Sequence, residues 1–430
     1  MMAERQERQR VNSVDVCLGD VHVGRIMRAA GGNIFFVFDE SYAEKPQRPL
    51  LSLSYQTAAG ELSGHMRGYS GRVPPFFANL LPEGELRNIL AKRANVAPQD
   101  ELSLLCALGE DLPGAVRVAA SSSANETDPS LHSHASTTGA NTDALRFSLA
   151  GVQLKLSAVL KTDGSLTVPA TGAGGSWIVK LPAMRMQAVP ENEFVMMTLA
   201  SKVGIPVPEV QLVAMENISG IPQEMQDLTG NALAVRRFDR TADGERLHME
   251  DFAQVFGEFP ESKYDGHSYA NIAAVLATVA GQPSVADFVR RVVFSALIGN
   301  GDMHLKNWSL LYADPNRPDL SPAYDLVSTI PYIPNDALAL GFGGSKSFSG
   351  IDRDRIEKFA RVARIPFQTA LDQCRDTVEE TKEAWSNHEQ RKLLPEKMDA
   401  SVDRMIHLIA RDTLGGGFRY QRRVVRNPRR

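Results

Sequence analysis

The stretch Leu297-Ile298-Gly299-Asn300-Gly301-Asp302-Met303-His304-Leu305-Lys306-Asn307-Trp308-Ser309-Leu310-Leu311 decides how this 430-residue chain is read. An apolar run enters it and an apolar run leaves it. Between them lies a polar knot of Asp302, His304, Lys306 and Asn307, preceded by Asn300-Gly301, a turn signal. A second acid follows in Pro322-Ala323-Tyr324-Asp325-Leu326.

Asp302, then four residues, then Asn307, then a later Asp325 is the spacing of a kinase catalytic loop and its metal-binding acid. Alone, such a spacing is common by chance. Phosphoryl transfer also needs a cradle for the phosphates, a cation to neutralise them and a carboxylate to orient the attacking hydroxyl. Asp302 is the candidate for that carboxylate. Asn307 and Asp325 offer the oxygen ligands that a hard cation such as Mg²⁺ prefers. Lys180 ends the strand-like run 176–181 and is the candidate phosphate lysine, with Glu193 as its carboxylate partner and Glu191 nearby. His304 and Lys306 read equally as surface residues or, in a nucleotide cleft, as groups facing phosphate. Two stretches compete for the cradle. Gly172-Ala173-Gly174-Gly175 is glycine-rich but fits a plain turn. Ala150-Gly151-Val152-Gln153-Leu154-Lys155 stands where a glycine-rich loop belongs but has one glycine.

Composition agrees with a globular protein holding a sizeable core, at 43% hydrophobic and 23% charged residues. A net charge of −4 gives no global attraction to nucleic acid or membrane. The exception is local: 419–430 carries six arginines and no acid, either a solvated tail or a contact for an acidic partner or DNA backbone. Cys17, Cys106 and Cys374 are far apart in sequence and make no disulfide framework, which suggests a reducing compartment. No apolar run approaches the roughly 18 residues that span a bilayer. The charged N-terminus lacks a signal-peptide core, so the expected location is cytoplasmic, with no membrane partner.

Along the chain, 14–18 and 21–26 alternate around Gly19-Asp20 and predict a hairpin. Further strands are predicted at 33–38 and 50–54, and helices up to about Lys92 and over 100–108. This is a small mixed unit with no chemistry evident in it. Residues 119–143 are Ser, Thr, Ala, Asn and Gly with almost no large apolar side chain, and read as a linker or long loop. His132 and His134 within it need no metal to explain them. Strands are then predicted at 153–160, 176–181, 207–215 and 232–238, with a helix over 190–203. From Met249 onward helical periodicity dominates, at 250–256, 269–280, 284–297, 354–363, 367–385 and 395–413. Strands around one helix, followed by a mostly helical half, suit the two lobes of a kinase.

Phe147-Ser148-Leu149-Ala150-Gly151-Val152-Gln153-Leu154-Lys155, Ile178-Val179-Lys180-Leu181-Pro182, Arg237-Phe238-Asp239-Arg240, Glu250-Asp251, 298–309 and Tyr324-Asp325-Leu326-Val327-Ser328 together resemble the HipA family of bacterial toxin kinases. Phe76-Phe77-Ala78-Asn79-Leu80-Leu81-Pro82 is similar to that family's N-terminal subdomain. The resemblance covers nearly the whole chain in order. It implies an α+β, protein-kinase-like bilobal fold with a β-rich N-lobe, a mostly helical C-lobe and an added small N-terminal α/β subdomain. The expected units are the subdomain at 1–118, a Ser/Thr-rich linker at 119–144, the N-lobe at 145–240 and the C-lobe with its basic tail at 241–430.

The resemblance further implies ATP- and Mg²⁺-dependent serine/threonine phosphorylation. The family's protein substrate is glutamyl-tRNA synthetase, whose phosphorylation starves translation and promotes persistence. Its usual partner is a small DNA-binding antitoxin of the HipB type, so DNA is met through that complex. By matching positions, Ala150, Gly151, Val152, Gln153, Leu154 and Lys155 form the phosphate loop, and Lys180 holds phosphates. Arg236, Arg237 and Phe238 form the adenine hinge, although Arg236 stands where the family often has an acid. Asp302 is catalytic, His304, Leu305, Lys306 and Asn307 line the nucleotide, and Tyr324 and Asp325 complete the site. Ser148 matches an autophosphorylated serine. A phosphate there adds nearly two negative charges beside the loop that cradles ATP, which implies an off-switch.

Two other readings stand beside this one. Antibiotic and sugar kinases share the Asp-x4-Asn and later-Asp logic, so the acceptor could be a small molecule. A non-catalytic corepressor that holds an antitoxin–DNA complex is the third, and the presence of Lys180, Asp302, Asn307 and Asp325 speaks against it.

Overall fold

The computed structural model describes residues 10–414 except 58, 64–66, 122–153, 162–164, 169–174, 184–185 and 222. The expectations for Ser148, for Ala150 to Gln153, for most of the Ser/Thr-rich segment, for Gly172 to Gly174 and for the arginine-rich stretch lie outside the described residues.

Among the described residues, three sheets organise the fold. The first is five-stranded, in the order β4-β3-β2-β1-β5, from β1 (Ser13–Leu18), β2 (Val21–Arg28), β3 (Asn33–Phe38), β4 (Tyr69–Ser70) and β5 (Val116–Ala120). Alternation does what it predicts: Val14, Val16 and Leu18 turn inward and join Ile26, Phe36 and Val118 in one apolar core. Gly19 makes the β1–β2 turn at φ +58°, a conformation glycine adopts without strain. Helices α1 (Glu40–Ala43), α2 (Pro75–Ala78), α3 (Gly84–Arg93) and α4 (Glu101–Leu108) accompany this sheet. Asp100 caps α4 by accepting the Ser103 N–H, so the predicted start of that helix is correct.

The run 50–54 is not a strand. Ser52 caps a single 3₁₀ turn, Leu53–Tyr55, and its hydroxyl and the Leu53 N–H both reach the buried carboxyl of Glu250. An apolar run of this length could pair in a sheet, but here the Leu53 N–H is taken by a distant acid, the Ser54 N–H by the Ser52 hydroxyl and the Leu50 N–H by the Pro315 carbonyl.

The second sheet has the order β10-β7-β6-β8-β11-β9, from β6 (Lys155–Leu160), β7 (Leu166–Thr167), β8 (Trp177–Lys180), β9 (Val210–Ala214), β10 (Ile218–Ser219) and β11 (Asn231–Arg236). Strands β6, β8, β11 and β9 form an antiparallel run, with Lys155 directly opposite Lys180 and Lys180 opposite Leu233. Ala158, Trp177, Val179 and Ala234 supply its core. Helix α5 (Val189–Lys202) packs on β9 and β11 and buries Val195, Met196 and Leu199.

The remaining chain is mostly helical, with α6 (Phe252–Phe256), α7 (Tyr269–Val279), α8 (Gln282–Leu297), α9 (Arg353–Ala363), α10 (Phe367–Ser386) and α11 (Glu396–Leu414). Their apolar faces meet in one large core that includes Phe288, Trp308, Phe359 and Trp385. One expectation fails here. Residues 250–256 are not one helix: β12 (His248–Asp251) pairs with β13 (Ser309–Asp314), which pairs with β14 (Arg317–Leu320), and only then does α6 begin. Asp251 closes the strand and opens the helix through a reciprocal capping box with Gln254. The bilobal α+β arrangement is otherwise as expected, and no described helix is long and apolar enough to cross a membrane.

The N-terminal unit is bound to the rest through buried polar contacts. Asp239 accepts from the Gly114 N–H and from Arg237 and Arg240, while Arg237 also binds Asp111. Burial pushes the Asp239 carboxyl up, but the two guanidinium groups hold it below its usual range. Asn79 donates to the Glu258 carbonyl, and Gln254 to the Phe76 carbonyl. Glu250, fully buried, accepts from Ser52, Leu53 N–H and Tyr312.

Burial pushes the Glu250 carboxyl from 4.5 to about 7, outweighing the hydrogen bonds it accepts. The folded state therefore keeps a proton that the unfolded chain releases above 4.5. The contribution is complete below pH 4.5 and is lost as pH rises through 7. Asp251, pushed by burial to about 6, acts in the same direction. Glu250→Gln should remove roughly 3 kcal/mol of pH-dependent stability between pH 4.5 and 7.5. Denaturant unfolding of both proteins across that range checks this.

Candidate functional site

A cleft of about 510 Å³ opens where the six-stranded sheet, the helical lobe and the N-terminal unit meet. Lys155, Lys180, Asn307, Tyr324 and Asp325 border it, as do Glu83 and Asp111 from the N-terminal unit.

The sheet brings two like charges together. Lys155 and Lys180 are cross-strand partners, and like charges directly opposite repel. Asp325 resolves this. Lys155 Nζ donates to Asp325 Oδ2 at 2.8 Å, and Lys180 Nζ donates to Oδ1. Lys180 also donates to Glu193 on α5. Burial works against charge here, yet Asp325 and Glu193 hold the Lys180 ammonium above its usual pKa. Burial likewise raises Asp325, but Lys155 and Lys180 together drive it far below the carboxylate range. Glu193 is pushed up by burial against the pull of Lys180. Asp325 reaches this position with φ +55°, a left-handed backbone that a non-glycine residue adopts only when its surroundings impose it.

The 299–309 loop is held from several sides. Asn300 Oδ1 accepts the Asp302 N–H at 3.0 Å, and Asn307 Nδ2 donates to the Asp302 carbonyl at 2.7 Å. Trp308 and Tyr269 both donate to the Met303 carbonyl. Gly301 must be glycine, because a Cβ there would lie 2.1 Å from an Asp336 carboxylate oxygen and 2.6 Å from the Ala337 carbonyl. The Asn307 bond turns its amide so that Oδ1, the hard donor, is the end left for a cation. Asn307 and Asp325 give two such ligands. Among the described residues no group of three or more His, Cys, Asp or Glu converges. A Mg²⁺ ion held by one or two side chains and completed by phosphate oxygens and water fits this donor set.

Leu154, Arg236, Arg237, Phe238, His304 and Lys306 also border the cleft. Asp302 does not; it stands beside His304, 4.0 Å from the imidazole, and accepts from the Tyr264 hydroxyl. His304 is buried and neither ring nitrogen has a hydrogen-bond partner among the described residues. Burial, and then Lys263, keep it far below the usual histidine range, so the ring is neutral. The Leu305 side chain is fully buried in the helical core and does not border the cleft, so that side chain lies away from the other loop residues of the site. Arg237 is committed to Asp239 and Asp111, and its guanidinium serves the docking of the N-terminal unit. Arg236 pairs loosely with Glu209 at the surface. The rings of Phe238 and Tyr324 lie 5.6 Å apart.

Three residues escaped the reading of the sequence. Glu83 binds Lys306 at 2.6 Å and Lys263 at 2.8 Å, and although burial raises its pKa these two lysines bring it down to about 2. Tyr264 covers Asp302. Glu83 follows the Phe76–Pro82 segment directly, but Lys263 and Tyr264 belong to no motif, and nothing local reveals their target.

Two family models match the chain: the HipA N-terminal domain over residues 14–119 and the HipA-like C-terminal domain over residues 147–388. The candidate kinase Y4dM of Sinorhizobium fredii is 48% identical over 397 residues, covering 92% of this chain and 96% of that protein. The serine/threonine-protein kinase toxin HipA of Shewanella oneidensis is 27% identical over 361 residues, covering 74% and 76%. Among solved structures, Shewanella oneidensis HipA in its complex with HipB and operator DNA has the same fold, with a TM-score of 0.71 at 22% identity, covering 94% of this chain and 97% of that one.

Asp325→Asn keeps the shape of the side chain but removes the charge that reconciles Lys155 with Lys180. It should destabilise the protein by about 3 kcal/mol, the cost of leaving a buried charge without its partner. Urea unfolding at pH 7 is the measurement, and the double variant Asp325→Asn/Lys155→Met should recover part of the loss.

Proposed function

The chain belongs to the HipA family of kinases, and from that premise we propose that it transfers the γ-phosphoryl group of ATP to a serine or threonine hydroxyl of a protein. The observation that carries this reading is the Lys155–Asp325–Lys180 cluster, backed by Glu193, placed in one cleft with Asn307, beside Asp302. It joins phosphate-binding cations, hard-cation ligands and a carboxylate, the parts that phosphoryl transfer requires.

In this reading Lys180, fixed by Glu193, and Lys155 with the loop before it receive the phosphates. The Arg236–Phe238 backbone and the Phe238 and Tyr324 rings receive the adenine. Asn307 and Asp325 would hold Mg²⁺, which when bound neutralises phosphate charge. Asp302 orients the acceptor hydroxyl once that hydroxyl replaces Tyr264. Neutral His304 and charged Lys306 face the phosphates.

The four units 1–118, 119–144, 145–240 and 241–430 are the proposed domains. A HipB-type antitoxin is the proposed partner, with DNA met through it, supported by the likeness to the Shewanella complex. Glutamyl-tRNA synthetase is the proposed class of protein target, on the family resemblance. Autophosphorylation of Ser148 is the proposed off-switch.

Incubating the purified protein with γ-³²P-ATP, Mg²⁺ and a cell lysate tests the main claim. A labelled protein is expected, and Asp302→Asn should lower its labelling by at least about 100-fold while the thermal midpoint stays close to that of the parent. Label appearing only in a small molecule would favour an antibiotic- or sugar-kinase acceptor. In mass spectrometry after self-incubation, Ser148→Ala should lose a phosphopeptide that the parent carries. A phosphate retained elsewhere would assign the switch to another residue.

A further inference from the structure

Glu83 sits at the N-cap of α3, where a carboxylate ordinarily accepts an N–H from the first helical turn. It makes no such bond. Its two oxygens are turned instead to Lys306 Nζ at 2.6 Å and Lys263 Nζ at 2.8 Å. Both lysine side chains are largely buried, at 13% and 7% exposure, so this is no loose surface pair. The Asn79 carbonyl, from the same segment, accepts a second bond from Lys306 at 3.3 Å. The segment is itself anchored, since Asn79 Nδ2 donates to the Glu258 carbonyl and Gln254 donates to the Phe76 carbonyl. Lys306 lies between His304 and Asn307 in the polar loop, and Lys263 gives its carbonyl to the Leu305 N–H in that same loop. One carboxylate of the N-terminal unit thus holds the loop by a lysine within it and by a lysine bonded to it.

We propose that Glu83 is a positioning residue for phosphoryl transfer: acting through Lys306, it fixes the 302–307 loop and makes the N-terminal unit a working part of the cleft. This rests on the kinase reading. A long, flexible lysine beside the cleft can point its charge in many directions, and two acceptors on a rigid segment choose one. A misplacement of about 1 Å at a reacting centre can cost up to roughly 100-fold in rate, so a remote clamp has leverage on turnover.

The full chain carrying Glu83→Gln, which keeps the size and loses the charge, is compared with the parent. Turnover with ATP is expected to fall about 10-fold or more while KM for ATP moves less than about 3-fold, and Glu83→Asp should restore part of it. Because much of its grip acts through Lys306, Glu83→Gln should cost clearly less in the Lys306→Met background than in the parent, with only the Lys263 arm left to lose. Hydrogen exchange of the peptide spanning 302–307 should become about 10-fold faster in Glu83→Gln, with the 13–38 strands unchanged. Unchanged loop exchange in Glu83→Gln, or additive losses in the double variant, would overturn the proposal. If the parent shows no Asp302-dependent transfer, the kinase reading fails, and loop exchange alone then decides whether Glu83 positions the loop.

Discussion

Two lysines face each other on neighbouring strands, and the arrangement is tolerable because Asp325 stands between them. That electrostatic requirement links the two lobes. Lys155 and Lys180 belong to the six-stranded sheet, and Asp325 belongs to the segment after β14, where it holds a left-handed backbone. Glu193 extends the network to α5. Any polyanion entering the cleft meets cations already gathered and held by a carboxylate whose charge it would replace or share. The same ion-pair set therefore serves the fold before a ligand arrives and the ligand once it has.

The N-terminal unit joins this system by burial of polar groups. Asp239, Glu250 and Glu83 are acids that each answer to donors from another part of the chain. Leaving any of them unpaired would expose the full cost of a desolvated charge or carboxyl, so the docking geometry is narrowly defined. The consequence for function is direct: one wall of the cleft is supplied by a unit whose own sequence shows no chemistry.

Much of the fold could be read in advance, for physical reasons that differ by element. The hairpin of β1 and β2 and the long helices α7 to α11 follow from periodicity, which reports burial on one face and needs no knowledge of the partner. The helix expected over 100–108 forms at Glu101–Leu108, with Asp100 as its cap. Failures occurred where a distant residue overrode local preference. Ser52 and Leu53 spend their donors on Glu250, almost two hundred positions away in sequence, so the apolar run 50–54 makes a turn and no strand. Residues 248–251 pair with β13, which a helical reading of 250–256 missed. Leu305 could not be separated from its polar neighbours by spacing, because in an irregular loop direction depends on each local bond.

By itself the sequence determined which residue types were present and in what order: a strand lysine, a helix glutamate, Asp302, Asn307 and a later Asp325. Order is legible there because the 299–309 loop is short and its spacing is set by covalent geometry. Only the tertiary structure decided that Lys155 opposes Lys180, that Asp325 serves both, that Tyr264 covers Asp302 and that Glu83 grips Lys306. These contacts join residues between 25 and 223 positions apart. Their partners are selected by burial, since a charge withdrawn from water must find its complement wherever the fold brings one within reach.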